Sequence, residues 1–384
     1  MPKPTPKLLS GALCLLGLLP LLAGVEKARA AEPMMDESVF TDTRIVSQNL
    51  AKDGQFAEAL RAEQKAYQIT LNHYGPLHIL LVPILNDMAV LNLYLGEYQK
   101  SEEESKWGLA LVEKNLGPDT PEAADSLERL ASLYIDLNRL PEAELLAQRA
   151  LTIRKADRQG GPKALGQTLR LLGLIETSLE KNDQARTHLT QALGLQEKNA
   201  SADPLLTVNL WNDLAQTYLA QRNFSEAQSS LEKSLSLAQK AFPADSMVVA
   251  DAMARLADFY HGQQLEEKAI PLYTSSAQID QHFVGTYFAY PSLPYLRRLA
   301  KADFAIGDFK TSEFLWKKTV ETDKKVFGLK HPKLAVDLIL LAETESALKK
   351  QSQARESLKE SLGILKGSFP DDHPLVLLVQ KRLK

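Results

Sequence analysis

Histidine is the residue type best suited to metal binding or acid–base catalysis in this chain, and its spacing argues for another role. The sequence has seven histidines. Three of them, His78, His331 and His373, each lie 19 residues after a small residue that recurs along the chain. Equivalent positions in stacked repeats are about a helix diameter apart, so these three side chains cannot converge on one ion. We interpret them as linker or helix-capping residues.

Other catalytic and cofactor-binding patterns do not occur in the sequence. It has no His-Glu-x-x-His, no paired Cys-x-x-Cys, no phosphate-binding loop, no Gly-x-Gly-x-x-Gly and no Gly-x-Ser-x-Gly. The formal net charge of −3 lacks the basic footprint of a nucleic-acid-binding protein. We therefore predict a protein that is not an enzyme, uses no metal or cofactor and binds no nucleic acid.

A small residue recurs along the chain at a nearly fixed interval and predicts a stack of similar helical units. The interval is 42 residues, as from Ala59 to Ser101, except between Ala269 and Ser312, where it is 43 residues. Two antiparallel helices approach closely only where side chains are short, and apolar residues at helical spacing flank each of these positions. The sequence therefore predicts an all-α fold. The positions are Ala59, Ser101, Ala143, Ala185, Ala227, Ala269, Ser312 and Ala354.

The repeats resemble the tetratricopeptide repeat. Residues 127–153 show the pattern best, with Leu-x-x-Leu-Ala-x-Leu-Tyr, then Glu-Ala, then Ala-Leu-x-Ile, and other repeats add Gly-x-aromatic before the second helix. The length of the period resembles the kinesin-light-chain type. The resemblance implies a right-handed superhelical solenoid of about eight helix-turn-helix units plus a C-terminal capping helix. The predicted units lie near 38–77, 78–120, 121–162, 163–204, 205–246, 247–290, 291–332 and 333–373, with the cap at 374–384.

Several repeats depart from this pattern. Glu176 and Glu345 replace the tyrosine of the first helix in repeats four and eight, and Asp303 replaces it in repeat seven. The longer interval contains the most aromatic stretch of the chain, residues 283–295. We expect a reshaped joint between repeats six and seven.

Residues 1–30 predict a secretory signal peptide, followed by a flexible segment at 31–37. Lys3 and Lys7 precede an uncharged run from Leu8 to Val25, and Ala28-Arg29-Ala30 has the small residues of a cleavage site. The alternative is an uncleaved membrane anchor. Both interpretations predict export, to the periplasm or the medium, and only the second predicts contact with a membrane.

The resemblance implies that the first helices of the repeats line a concave binding surface. Asn209, Asn212 and Gln216 there suit a peptide main chain, because amides both donate and accept hydrogen bonds. Arg297, Arg298 and Lys301 suit a carboxylate or another anionic group. The complete candidate set is Asn86, Arg170, Asn209, Asn212, Gln216, Arg255, Arg297, Arg298 and Lys301.

The sequence thus predicts an exported, non-catalytic scaffold that binds a protein or an extended peptide segment. The alternative is a structural or self-associating component of the cell envelope, which would use the convex face or the terminal helix, so a homo-oligomer is compatible with the sequence. Catalysis is a third option that no motif supports.

Overall fold

The computed structural model describes residues 37–157, 160–197, 202–284 and 293–384, which contain 17 helices and no strand. The helices form eight antiparallel pairs and one final helix, as expected for a tetratricopeptide-like solenoid. The predicted signal peptide, the predicted flexible segment up to residue 36 and most of the aromatic joint (residues 285–292) lie outside the described residues. Glu37, the last residue of the predicted flexible segment, begins the first helix.

The helices alternate between the first and second positions of the repeats. The first helices are α1 (Glu37–Lys52), α3 (Leu81–Tyr94), α5 (Pro121–Asp136), α7 (Pro162–Ser178), α9 (Pro204–Ala220), α11 (Met247–Gly262), α13 (Leu293–Ala305) and α15 (Pro332–Ala347). The second helices are α2 (Phe56–Tyr74), α4 (Tyr98–Asn115), α6 (Leu140–Ala156), α8 (Asn182–Glu197), α10 (Phe224–Ala241), α12 (Glu266–Val284), α14 (Phe309–Val326) and α16 (Gln351–Ser368), and α17 (Pro374–Leu383) follows them.

The chain divides into two compact units. The terminal unit contains the residues up to Asn115 together with Asp323–Lys384, and the central unit is Leu116–Thr322. In repeats one to six and in repeat eight, the first helix packs most extensively against the second helix of its own repeat.

The recurring small residues lie where the two helices of a repeat touch. The six alanines at these positions are buried. Where serine replaces alanine, its hydroxyl donates to a carbonyl of the facing helix 12 residues earlier: Ser101 Oγ to Ala89 O at 2.7 Å, and Ser312 Oγ to Ala300 O at 2.8 Å. The close helix approach predicted from the sequence is therefore confirmed.

The turn between the two helices contains a left-handed residue at one equivalent position in all eight repeats. Gly54, Gly96 and Gly307 occupy it with φ of 76°, 77° and 87°. The other five repeats place a non-glycine residue there, at φ between 58° and 61°, although this region favours glycine. The packing of the helix pair therefore imposes the turn conformation on whichever residue stands there. These five residues are Asn138, Glu180, Arg222, Gln264 and Lys349.

Two of the three equivalent histidines, His331 and His373, cap helices, and His78 lies in the linker before α3, within the linker or capping role that the sequence predicts. His331 Nδ1 accepts from the amide of Lys333 at 3.1 Å, and His373 Nδ1 accepts from the amide of Leu375 at 3.3 Å. His78 Nδ1 accepts in the same way from the amide two residues on, at the start of α3. An imidazole nitrogen here takes the place of the hydroxyl or carboxylate oxygen that usually caps a helix.

Acidic residues at the tyrosine position are buried, and two of the three face a polar partner 12 residues later. Glu176 Oε2 lies 2.8 Å from His188 Nδ1, and Ser357 Oγ donates to Glu345 Oε2 at 2.9 Å. Asp303 is 8% exposed, and its Oδ2 has no hydrogen-bond partner among the described residues. The residue 12 positions after it is a leucine, which offers no polar atom. Burial raises the pKa of Asp303 to about 6, and the neighbouring charge of Asp308 adds to the shift.

We expect Asp303→Asn to stabilise the protein above pH 6. Because the pKa of Asp303 is higher in the folded state than in the unfolded state, ionisation of its carboxyl destabilises the fold as the pH rises through about 6. The gain is about 3 kcal/mol at pH 8 and falls to about 0.5 kcal/mol near pH 4. Urea unfolding at both pH values measures it. Asp308→Asn is the control, because Asp308 is exposed, accepts from Thr311 and has a lowered pKa. Equal effects of the two variants at pH 8 would contradict the assignment.

The terminal unit brings together aromatic residues from distant parts of the sequence. Phe56 stacks on Tyr94 with ring centroids 4.6 Å apart, and the ring of Phe327 lies 5.8 Å from Phe56 and 6.0 Å from Tyr94. His331 stacks on Phe327 and its Nε2 donates to the carbonyl of Leu93 at 3.3 Å. The repeat pattern predicts the elements that carry these rings but not their contact, and the hydrogen bond between His331 and Leu93 spans 238 residues.

Candidate functional site

The first helices of the central unit share a face on which arginines and carboxylates alternate. Arg170 on α7 donates its Nε hydrogen to Oδ2 of Asp213 on α9. Arg255 on α11 donates to Asp251 Oδ2 at 2.6 Å. Burial would lower the pKa of Arg255, but Asp251, Asp213 and Asp258 outweigh burial and raise it. An ion pair thus joins α7 to α9, while Arg255 pairs with a carboxylate of its own helix α11.

The ion-pair series continues to α13. Arg298 on α13 donates its Nε hydrogen to Oδ2 of Asp280 on α12 at 2.6 Å, and a second nitrogen bonds Oδ1 of the same carboxylate. A third nitrogen of Arg298 reaches Asp251 Oδ1 on α11 at 3.5 Å. Asp280 is fully buried, so Arg298 neutralises a carboxylate that water cannot reach. The guanidinium predicted to bind an anionic ligand is therefore already engaged within the protein.

A similar arrangement of ion pairs occurs at the other end of the central unit. Arg154 on α6 pairs with Asp125 and Glu128 of α5, and Glu128 also accepts from the hydroxyl of Thr168 on α7. Burial raises the pKa of Glu128, while Arg154 and Thr168 act against the shift. The charges on this part of the surface are matched by neighbours, as they are on α7 to α13.

Amide side chains lie on α9 between these pairs. Asn209 and Gln216 are half-buried, and their amides have no hydrogen-bond partner within the described parts of the chain. Asn209, Asp213 and Gln216 are three to four residues apart and share one helix face. Asn212, beside them, is 3% exposed, and its Oδ1 likewise has no partner among the described residues. The centre of the face therefore offers uncharged donors and acceptors.

The remaining predicted residues lie in different surroundings. Asn86 belongs to the terminal unit and is 7% exposed, with its Oδ1 packed against Gly108 of α4. Arg297 is half-buried and Lys301 is exposed, both on α13. The structure thus gathers eight of the nine candidates in the central unit and leaves Asn86 outside it. A binding role for the nine residues stays a prediction.

Two residues that decide the charge of this surface, Asp213 and Asp280, are not among the residues predicted from the sequence. The sequence does contain a signal for Asp213. Arg170 and Asp213 are 43 residues apart, and the same interval separates Arg44 from Asp87, which form an equivalent pair in the terminal unit. An arginine followed by an aspartate one repeat and one residue later therefore marks an ion pair between neighbouring first helices.

The described residues contain neither a metal-binding group of side chains nor a membrane-spanning helix. No group of three or more histidine, cysteine, aspartate or glutamate side chains has the arrangement of a metal site within them. None of the described helices is long and apolar enough to cross a membrane.

Comparison with known proteins supports the nature of the repeat. Residues 206–282 and residues 123–156 both match the family described as tetratricopeptide repeat. These two segments of the chain are similar to tetratricopeptide repeats. Over 209 residues it is 25% identical to Protein KINESIN LIGHT CHAIN-RELATED 3 of Arabidopsis thaliana, a match that covers 54% of this chain and 32% of the relative. KINESIN LIGHT CHAIN-RELATED 1 of the same plant is 24% identical, with 56% and 36% covered. This repeat protein thus spans about a third of the length of those relatives.

Solved structures share the fold of this repeat protein. A Rap protein complexed with Competence and Sporulation Factor aligns with a TM-score of 0.61 at 13% identity, over 90% of this chain and 91% of that one. The apo form of the quorum sensor NprR from B. thuringiensis aligns with a TM-score of 0.56 at 13% identity and the same coverage. At this identity the similarity establishes the fold alone.

We expect Asp280→Ala to destabilise this repeat protein by about 3 kcal/mol, because it leaves the guanidinium of Arg298 without its buried partner. Lys301→Ala is the matched control on the same helix, because Lys301 is exposed and forms no ion pair with any described residue, so its loss costs less than about 0.5 kcal/mol. Urea unfolding of both variants measures the difference. A loss below about 1 kcal/mol for Asp280→Ala would show that Arg298 is not held by this pair.

Proposed function

We propose that the protein is a non-catalytic scaffold that binds an extended peptide segment along the first-helix face of α7, α9, α11 and α13. One observation carries the proposal. Within the described residues, Asn209 and Gln216 present amides without partners on a face where Arg170, Arg255 and Arg298 are all paired with carboxylates. A peptide main chain, which both donates and accepts hydrogen bonds, satisfies such amides.

Because the charges on this face are already paired within the protein, the face favours an uncharged ligand. An acidic ligand would have to compete with Asp213, Asp251 or Asp280 for an arginine, and the buried Asp280 would lose its counter-ion in the exchange. Main-chain amides need no such exchange. Because the ion pairs hold neighbouring helices together, the surface is formed before the ligand arrives, and little affinity is lost to ordering the protein.

The structural relatives support a binding role. The Rap protein that aligns over most of this chain was solved in complex with Competence and Sporulation Factor, and NprR is described as a quorum sensor. A solenoid of similar fold and length thus takes part in binding in that complex. The present proposal extends a binding role to this chain, with the α9 amides as the contact residues.

We also propose that the scaffold is exported, on the evidence of residues 1–30. N-terminal sequencing of the protein purified from a membrane-free fraction checks this. A mature N-terminus at or near Ala31 is expected, and a soluble product that begins at Met1 would contradict the proposal.

The binding proposal is tested with a library of unstructured heptapeptides immobilised on an array and probed with the purified chain. For the peptides selected, fluorescence polarisation measures affinity to the chain and to the variant Asn209→Ala/Gln216→Ala. Loss of two hydrogen bonds at about 1 kcal/mol each predicts affinity weaker by a factor of about ten or more.

Gln239→Ala is the control, because Gln239 is an exposed amide on the second helix α10 that has no partner among the described residues. Its affinity should stay within about twofold of the parent. Equal loss in both variants, or selection of no peptide at all, would overturn the proposal.

A further inference from the structure

A pocket of the central unit lies on the side of α9 opposite to the candidate peptide surface. Trp211, Leu214 and Tyr218 form its floor, and the second helices α8 and α10 form its walls. Successive residues of a helix are about 100° apart, which places these three side chains about half a turn away from Asn209 and Gln216. The cavity has a volume of about 320 Å³, at the small end of the range for ligand sites.

The pocket arises from a local departure from the repeat. In five other repeats a buried leucine occupies the position of Trp211, and here the indole is half-exposed instead. On the opposite wall, Gly194 has no heavy atom within 4 Å of the point where a Cβ would lie. A large aromatic side chain thus faces open space. The five leucines are Leu85, Leu127, Leu169, Leu296 and Leu338.

The charged groups around the indole are one cation and two carboxylates, beside the hydroxyls of Thr190, Tyr218, Ser229 and Ser230. The ammonium group of Lys233 lies 4.5 Å from the centroid of the Trp211 ring. Lys233 forms no ion pair, and the carboxylates of Glu197 and Glu226, which also line the pocket, have no partner within the described part of the chain. The indole face therefore already attracts a positive charge, while two negative charges remain unmatched.

We propose that this pocket binds the guanidinium group of an arginine side chain supplied by a protein partner. The flat guanidinium stacks on Trp211 in place of the Lys233 ammonium, and its hydrogen-bond donors reach the carboxylates of Glu197 and Glu226. The exposed Lys233 swings towards solvent. This site is independent of the peptide surface on the other side of α9.

The charges decide between an arginine and an apolar group. Glu197 and Glu226 are exposed, and an apolar side chain on the indole would give neither carboxylate a partner. A guanidinium gives both carboxylates a donor and retains the contact with the ring. It also fits the planar floor better than a lysine ammonium, which is compact and more strongly hydrated.

The test uses the full chain and the peptide acetyl-Gly-Arg-Gly-amide. The matched neutral probe is the same peptide with citrulline, which keeps the planar shape and lacks the charge. Binding is followed by NMR line broadening of the peptide, which reports on every variant in the same way. The arginine peptide should bind saturably, and the citrulline peptide at least about tenfold more weakly.

Two variants of the pocket give opposite expected results. Trp211→Leu installs the residue that five other repeats carry at this position, so the fold is kept and binding should disappear. Lys233→Met removes the internal cation and should tighten binding of the arginine peptide by about three- to tenfold. A merely structural Lys233 would not produce this gain. The variant Glu197→Gln/Glu226→Gln keeps the indole, so it should weaken binding without affecting folding.

Three results would overturn the proposal. Equal binding of the arginine and citrulline peptides would show that charge is not recognised. Unchanged binding by Trp211→Leu would show that the peptide binds outside the pocket. Weaker binding by Asn209→Ala/Gln216→Ala would then place the peptide on the α9 amides. Weaker binding by Lys233→Met would show that Lys233 contributes to the site and does not compete for it.

Discussion

The close approach of the two helices in each repeat is the constraint on which the rest of the structure depends. It requires a small side chain at one position of the second helix, and alanine or a serine that donates to the facing helix fills this position throughout the described repeats. The same approach imposes a left-handed residue on the connecting turn even where no glycine is present. Close packing, more than the local preference of the turn residues, therefore determines the repeat.

Ion pairs between neighbouring repeats convert this packing into a surface of defined chemistry. A regular array of arginines on the first helices would by itself form an anion-binding surface. The structure instead places Asp213, Asp251 and Asp280 against those arginines, so their positive charge is matched within the protein, between helices for Arg170 and Arg298 and within α11 for Arg255. What remains for a ligand on α9 is a pair of amides.

Helix α9 carries two surfaces of different character on its opposite sides. One bears uncharged amides between matched ion pairs, and the other bears an indole with unmatched carboxylates. The two arise in different ways. The amides occupy positions that the repeat leaves free of core contacts, whereas Trp211 replaces a core leucine and opens a cavity. One large side chain at a core position thus gives this helix a second surface of different chemistry.

Sequence periodicity by itself determined the secondary structure, the number of repeats and the capping role of the histidines, because each depends on contacts within a repeat or between neighbouring repeats. The structure places eight of the nine candidate residues in the central unit, and their binding role stays a prediction. Tertiary structure alone decided which charges are free. Arg298 resembles a ligand-binding cation in the sequence, but Asp280, on the preceding second helix, neutralises it. The stack of Phe56, Tyr94 and Phe327 likewise needs the whole chain to form, because a repeat pattern describes neighbours and carries no information about contacts several repeats apart.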